Sequence, residues 1–314
     1  MDLYGLGTEA PVWWEDWNDG PRQRGTSGLL DRCRSTNTCP KIMETFGGAE
    51  IWTLRASFML VGTDARGDIP LPDTVRRYFF PGVTHGGGRG GFSSAATPAN
   101  GCELPANPAP SAPMRSALTK AFVAWVTTGA AMPANRYPTI ADGTLVPNTA
   151  EALRFPVVPG VPTPVMRPLL DYDLGPAFNY QDASGVLEAP VKVKRSLPQL
   201  VVKVDADGNE VAGVKSPLQA APLGTYTGWN VTAAGPLKGQ SCGLSGGFIP
   251  FARTKADRLA KGDPRLSLEE RYRSHEEYVQ IVQAAAGKLV QERLLMQQDA
   301  DAMIKQAQDS EVLR

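Results

Sequence analysis

From residue 41 onward the apolar positions fall into orderly runs. KIMET, residues 41–45, is a short apolar run suited to a buried strand, and TVRRYFF, residues 74–80, joins β-branched and aromatic residues in a second one. Between them lies a loop with helical potential over residues 51–58. In PMRSALTKAFVAWVTTG the apolar Leu118, Ala121, Phe122, Trp125 and Val126 recur at helical spacing, with Ser116 as a cap and a stop near Gly129. Strand, loop, strand, loop, helix is the order of an α/β sheet, in which loops at the carboxyl ends of strands carry the chemistry.

The pattern changes on both sides of this block. Residues 1–39 are rich in Trp, Gly and Asp, as in PVWWEDWNDG, and read as a lid or connecting segment with a short helical stretch near residues 27–32. Trp13, Trp14 and Trp17 would line a pocket or, the commoner role, anchor the lid. Residues 40–131 form the core block. Over residues 132–264 Pro and Gly become frequent and apolar runs shorten, which predicts an irregular, strand-poor wrap. Within it LVVKVDADGNEVAGV reads as a β-hairpin closing over Asp207-Gly208-Asn209. Residues 265–314 read as helices: Ser267 and Glu270 make a capping-box pattern for a long helix with Tyr278, Ile281, Val282, Ala285, Leu289 and Leu294 on one face, followed by a shorter helix after Asp299.

Composition narrows the function classes. At 314 residues and 42% hydrophobic the chain has ample material for a packed core. Lys plus Arg and Asp plus Glu balance at 32 each, so nothing steers it to nucleic acid or an anionic membrane surface, and no apolar run is long enough for a membrane span. The four cysteines fit neither a zinc knuckle nor a redox C-x-x-C, so no metal and no cofactor is expected. They are free thiols or two disulfides. If paired, Cys33 joins Cys39 across a tight Thr-Asn-Thr turn, and Cys102 joins Cys242 between two Gly-rich loops, which would mark the parent protein as periplasmic or secreted.

Only two histidines exist. His275 sits among Arg, Ser and Glu and reads as a solvated surface residue. His85 ends FFPGVTH, just past the second strand, and opens GGGRGG, a loop free to aim an imidazole. A general base needs this setting and a carboxylate to fix its tautomer. In FGGAEIW, the loop after the first strand, Glu50 is the leading candidate. Glu44 is the rival, but inside KIMET it would point to a sheet face; Asp64 and Asp68 read as loop caps.

The blocks PKIMETFGGAEIWTLRAS, VGTDARGDIPLPDTVRRYFFPGVTHGGG and GLSGGFIPFARTKADRLAKGDPRLSLEERY resemble the C-terminal part of bacterial α/β hydrolase domain-containing proteins. The resemblance covers nearly the whole chain. It implies an α/β fold, here the C-terminal part of an α/β-hydrolase sheet with an irregular Pro/Gly-rich wrap and C-terminal helices. It further implies ester or similar acyl hydrolysis, His85 and Glu50 as catalytic His and acid, and a nucleophilic Ser and oxyanion loop on a separate N-terminal half. Ile51 stands where that family more often has an aromatic residue. On this reading the chain's partners are a small ester or acyl substrate and that N-terminal half, and the chain alone is inactive. The alternative is a non-enzymatic fragment or subunit.

Three motifs mislead. Gly239-Gln-Ser241-Cys-Gly243 and Gly243-Leu-Ser245-Gly-Gly247 match the nucleophile-elbow pattern, but no strand runs in, no helix runs out, and both follow His85, against the fold's order of Ser, acid, His. Gly86 to Gly91 fits G-x-G-x-x-G without a helix to open, which argues against dinucleotide binding. Asp205-Ala-Asp207-Gly-Asn209 resembles a calcium loop, but its Gly comes too early and Ser216 stands where a bidentate Glu belongs.

Overall fold

The computed structural model describes residues 14–18, 20, 23, 25–182 and 184–314. Two strands organise it: β1 (Ile42–Gly47) and β2 (Val75–Phe80), with the short helix α1 (Gly48–Trp52) leaving the end of β1. The strands pair in parallel, in register from Ile42 opposite Val75 to Gly47 opposite Phe80. Side chains alternate between the faces of a strand. Phe46 and Phe79 therefore enter one core with Ile51, Trp52, Val201 and Trp229, while Tyr78 and Phe80 enter another with Met114, Leu118, Tyr226 and Tyr278. β2 is buried on both faces, which explains why TVRRYFF ends in a run of aromatic residues without alternation, whereas β1 is buried only at its end, at Phe46 and Gly47.

The predicted helix after β2 begins a turn earlier than expected. It is α2 (Ala112–Thr128), with Ser111 at the N-cap position, Pro113 in the first turn and Gly129 in the left-handed conformation at its end. Ser116 is therefore inside the helix and exposed, because Pro113 supplies a pre-set φ where the pattern offered only a Ser. Met114, Leu118 and Trp125 face the core, whereas Val126, placed on that face by the sequence, is 51% exposed.

Residues 132–264 supply β3 (Leu145–Pro147) paired antiparallel with β4 (Leu200–Val202), and β5 (Gly224–Thr227) paired antiparallel with β6 (Gly247–Pro250). Val201, Val202, Thr225 and Tyr226 are all buried, so this segment completes both cores. The hairpin after β4 turns where the sequence places it. Asp205 Oδ1 accepts the amides of Asp207 and Asn209, Gly208 takes a φ of +82°, and Val204 bridges Glu210.

The C-terminal helices are divided differently from the sequence reading. Ser267 and Glu270 cap only one turn, α3 (Leu268–Arg271). Tyr272 is then extended, its ring buried and its hydroxyl donating to Pro222 O at 2.8 Å. The long helix is α4 (His275–Gln291), capped afresh by Ser274, whose hydroxyl accepts the Glu277 amide at 3.2 Å; Glu276 and Glu277 favour the same start. A last helix, α5 (Gln297–Gln308), buries Ala300, Met303 and Ala307. His275 is not merely solvated: its Nδ1 lies 2.8 Å from Val312 O and its Nε2 3.1 Å from Gln308 O, so the ring clasps the end of α5 and the segment after it.

Disulfides join Cys33 to Cys39 and Cys102 to Cys242. Among the described residues, no helix is long and apolar enough to cross a membrane.

Candidate active site

The site lies where the carboxyl ends of β1 and β2 meet. Parallel strands bring their following loops to one edge of the sheet, so residues distant in sequence become neighbours. Glu50 occupies the first turn of α1. Its Oε2 accepts the Gly47 amide at 2.9 Å, which turns the carboxylate back toward the strand end. His85 follows β2, and its main-chain amide donates to Leu244 O at 3.1 Å. The two side chains meet: His85 Nδ1 is 2.5 Å from Glu50 Oε1. The imidazole is 54% exposed and the carboxylate 18%.

That geometry fixes the tautomer. With Nδ1–H donating to the carboxylate, the neutral ring leaves Nε2 unprotonated, and among the described residues Nε2 has no hydrogen-bond partner. A ring so held can take a proton at Nε2 while Glu50 stabilises the imidazolium. Glu44 does not reach His85. Its carboxylate accepts Arg77 Nε at 2.5 Å and Trp14 Nε1 at 2.9 Å, on a face of the sheet, as its place inside β1 dictates. Asp68 accepts the amides of Ile140 and Ala141, and Asp64 pairs with Arg195. Trp14 thus sits at Glu44 rather than at His85, Trp17 lies in a short antiparallel pair with Ser27, and Trp13 lies outside the described residues.

The turn into His85 is held on both sides. Gly82 has a φ of +56°, and a Cβ there would stand 2.2 Å from Tyr226 O, so only glycine fits. Its carbonyl accepts Asn107 Nδ2 at 2.5 Å, and the same amide group donates to Thr227 O at 2.9 Å. Its N–H donates to Glu210 Oε2 at 2.5 Å. Glu210 Oε1 accepts Trp52 Nε1 at 3.1 Å. Burial pushes the Glu210 carboxyl up to about 7, against the opposing pull of the Gly82 and Trp52 donors and of Lys215. The sequence offered no sign of Glu210 or Asn107, because each acts through contacts with segments far along the chain.

The late Gly-x-Ser-x-Gly segment packs beside this site. Leu244 O accepts both the His85 amide and Thr84 Oγ1, and Gly246 N donates to Thr84 Oγ1. Its geometry is not an elbow: Ser241 bridges Val231, Cys242 is tied to Cys102, and the chain runs on into β6 without a helix. Neither the Ser241 nor the Ser245 hydroxyl hydrogen-bonds to His85. Among the described residues, no three His, Cys, Asp or Glu side chains are arranged to hold a metal ion.

Comparison with curated proteins and with solved structures finds no match. A family model described as an alpha/beta hydrolase domain matches residues 8–305. Over nearly its whole length, therefore, the chain belongs to the alpha/beta hydrolase domain family.

Proposed function

We propose that this chain supplies the acid and base of a serine hydrolase acting on an ester or similar acyl substrate. In this reading it forms the C-terminal part of the hydrolase sheet, and the nucleophilic Ser and oxyanion donors come from an N-terminal half. The single observation that carries the proposal is the Glu50–His85 contact at the carboxyl ends of two parallel strands, with Nε2 turned to no partner among the described residues. A second supports the division of labour: β2 is flanked on its far side by Arg136, whereas among the described residues β1 pairs with β2 alone, so a further strand can add at its outer edge.

The chemistry follows from these positions. The Ser Oγ attacks the acyl carbonyl as His85 Nε2 takes its proton, and backbone amides of the N-terminal half bind the oxyanion. The imidazolium, held by Glu50, returns that proton to the leaving alkoxide, and the acyl-enzyme remains. Water then repeats the sequence, giving its proton to His85 and releasing the acid. The two disulfides fit an oxidising compartment, which points to export of the parent protein.

The test is covalent labelling with a fluorophosphonate, followed by peptide mapping, on the chain produced together with the N-terminal half. The expected label is on a Ser of that half, and it requires His85. A label on Ser241 or Ser245 would overturn the placement of the nucleophile, and no label on any Ser would overturn the hydrolase reading itself.

A further inference from the structure

The acid of the pair reaches His85 from one loop and the imidazole comes from another, so their 2.5 Å contact depends on how firmly the two loops are held to each other. We propose that Glu210 is a positioning residue for the Glu50–His85 pair, its buried carboxylate bridging the indole N–H of Trp52 on the acid side and the backbone N–H of Gly82 on the histidine side. This rests on the reading of His85 as the base.

Three observations converge on it. Trp52 stands two residues after Glu50 on the same helical turn, and its ring is 3% exposed, packed edge-on against Trp229 at 6.2 Å. Fixing the indole therefore fixes the rotation of α1, and with it the direction of the Glu50 side chain. Gly82 stands three residues before His85, at the only bend between β2 and the ring. Its carbonyl is taken by Asn107 and its N–H by Glu210, so the peptide groups on both sides of the bend residue are held. Glu210 itself is 4% exposed, and its two oxygens each receive one of the two donors.

The backbone around the bridge is packed too closely to adapt. A Cβ on Gly48, the first residue of α1, would stand 2.9 Å from Gly228 Cα and 3.2 Å from Glu210 Oε2, and one on Gly228 would stand 2.2 Å from the Gly48 carbonyl carbon. The β5 end, the acid loop and Glu210 thus touch without a side chain between them. A buried carboxylate with two N–H donors has its polar needs met, but the two donors would be left unpaired without it. An amide in its place has one accepting oxygen, so Glu210→Gln sets an NH₂ group against either Trp52 Nε1–H or Gly82 N–H. The acid loop or the histidine bend must then give way.

The experiment uses the full chain labelled with ¹⁵N-histidine, which gives signals from His85 and His275 only. The wild-type ring of His85 is expected as the Nδ1–H tautomer, with a strongly downfield Nδ1 proton. In Glu210→Gln that proton should shift upfield or broaden away as the Nδ1–H contact to Glu50 loosens. The His275 signals, from a ring 2.8 Å from Val312 O and 3.1 Å from Gln308 O at the end of α5 and beyond it, serve as the internal check that the fold is intact. A folded Glu210→Gln protein with an unchanged His85 Nδ1 proton signal overturns the proposal. Should that variant fail to fold, Trp52→Phe deletes the indole donor alone: a shift of His85 in the same direction supports the bridge, and none overturns it. Neither readout requires hydrolysis, so failure here is distinct from failure of the hydrolase reading.

Discussion

Ala49 donates its main-chain amide to Val83 O at 3.0 Å, so the loop that carries the acid and the loop that carries the histidine are joined through backbone one residue from Glu50 and two from His85. The contact between the two side chains is thus the outermost of a series that begins in the parallel ladder of β1 and β2. What the ladder aligns, the loop contacts hold. This ordering makes the roles of the two rival glutamates separable by experiment.

On the proposed reading, Glu50→Gln should lower kcat of the hydrolase assembled with an N-terminal half by about 10²–10⁴, since an amide can no longer stabilise the imidazolium. Glu44→Gln should leave kcat within about threefold, yet cost roughly 3–5 kcal/mol of stability, because the Arg77 side chain is fully buried and, among the described residues, Glu44 is its one charged partner. Steady-state kinetics with urea unfolding separates the two effects. Equal losses of kcat would undo the distinction.

Gly82→Ala and Gly86→Ala make a second contrast. Both glycines have positive φ, at +56° and +81°, but a Cβ on Gly86 meets nothing within 4 Å, whereas one on Gly82 meets the Tyr226 carbonyl at 2.2 Å. Gly86→Ala should cost about 1–2 kcal/mol of backbone strain, and Gly82→Ala distinctly more. Urea unfolding of the two variants side by side checks this, and equal costs would mean that the bend yields freely.

Stability should also depend on pH through Glu210. Its carboxyl titrates near 7 in the folded chain against an ordinary value of 4.5. Between those values the folded state binds more protons than the unfolded one, so stability is greatest below about pH 4.5 and this contribution is lost as pH rises through 7, by about 3 kcal/mol in all. Glu210→Gln should flatten that part of the profile. The measurement is urea unfolding at steps from pH 4.5 to 8 for wild type and variant, and identical slopes would contradict it.

Reduction of the Cys102–Cys242 bridge should lower stability by roughly 2–5 kcal/mol, because it closes a loop with a sequence separation of 140 residues. Cys33–Cys39, with a separation of 6, should contribute less. Cys102→Ala/Cys242→Ala and Cys33→Ala/Cys39→Ala double variants, compared by thermal unfolding, give the order. The reverse order would place the larger constraint in the small loop.

Local signals carried much of this into the sequence. TVRRYFF read as a strand because both of its faces are buried, KIMET lies partly buried beside it, and Glu50 and His85 stood out because each follows a strand into a glycine-rich loop. The hairpin at Gly208 was legible from its turn residues. The cap signals were less decisive: Ser267 with Glu270 and Ser274 with Glu276 and Glu277 compete within a few residues, and only the burial of Tyr272 selects a break between them. Glu210 was illegible for a different reason. It lies in a hairpin arm in which Ala212 and Val214 are also buried, and its polar partners are Gly82, 128 residues earlier, and Trp52, 158 residues earlier. His275 is a similar case, since its ring is occupied by carbonyls 33 and 37 residues later.

The most direct test of the central claim is hydrolysis of a short-chain aryl ester by the purified chain, alone and together with its N-terminal half, with His85→Ala as the control. The account predicts no turnover from the chain alone, turnover when the N-terminal half is present, and its loss in His85→Ala. Turnover by the chain alone that vanishes in Ser241→Ala or Ser245→Ala would contradict it, by placing the nucleophile in the segment that packs against His85.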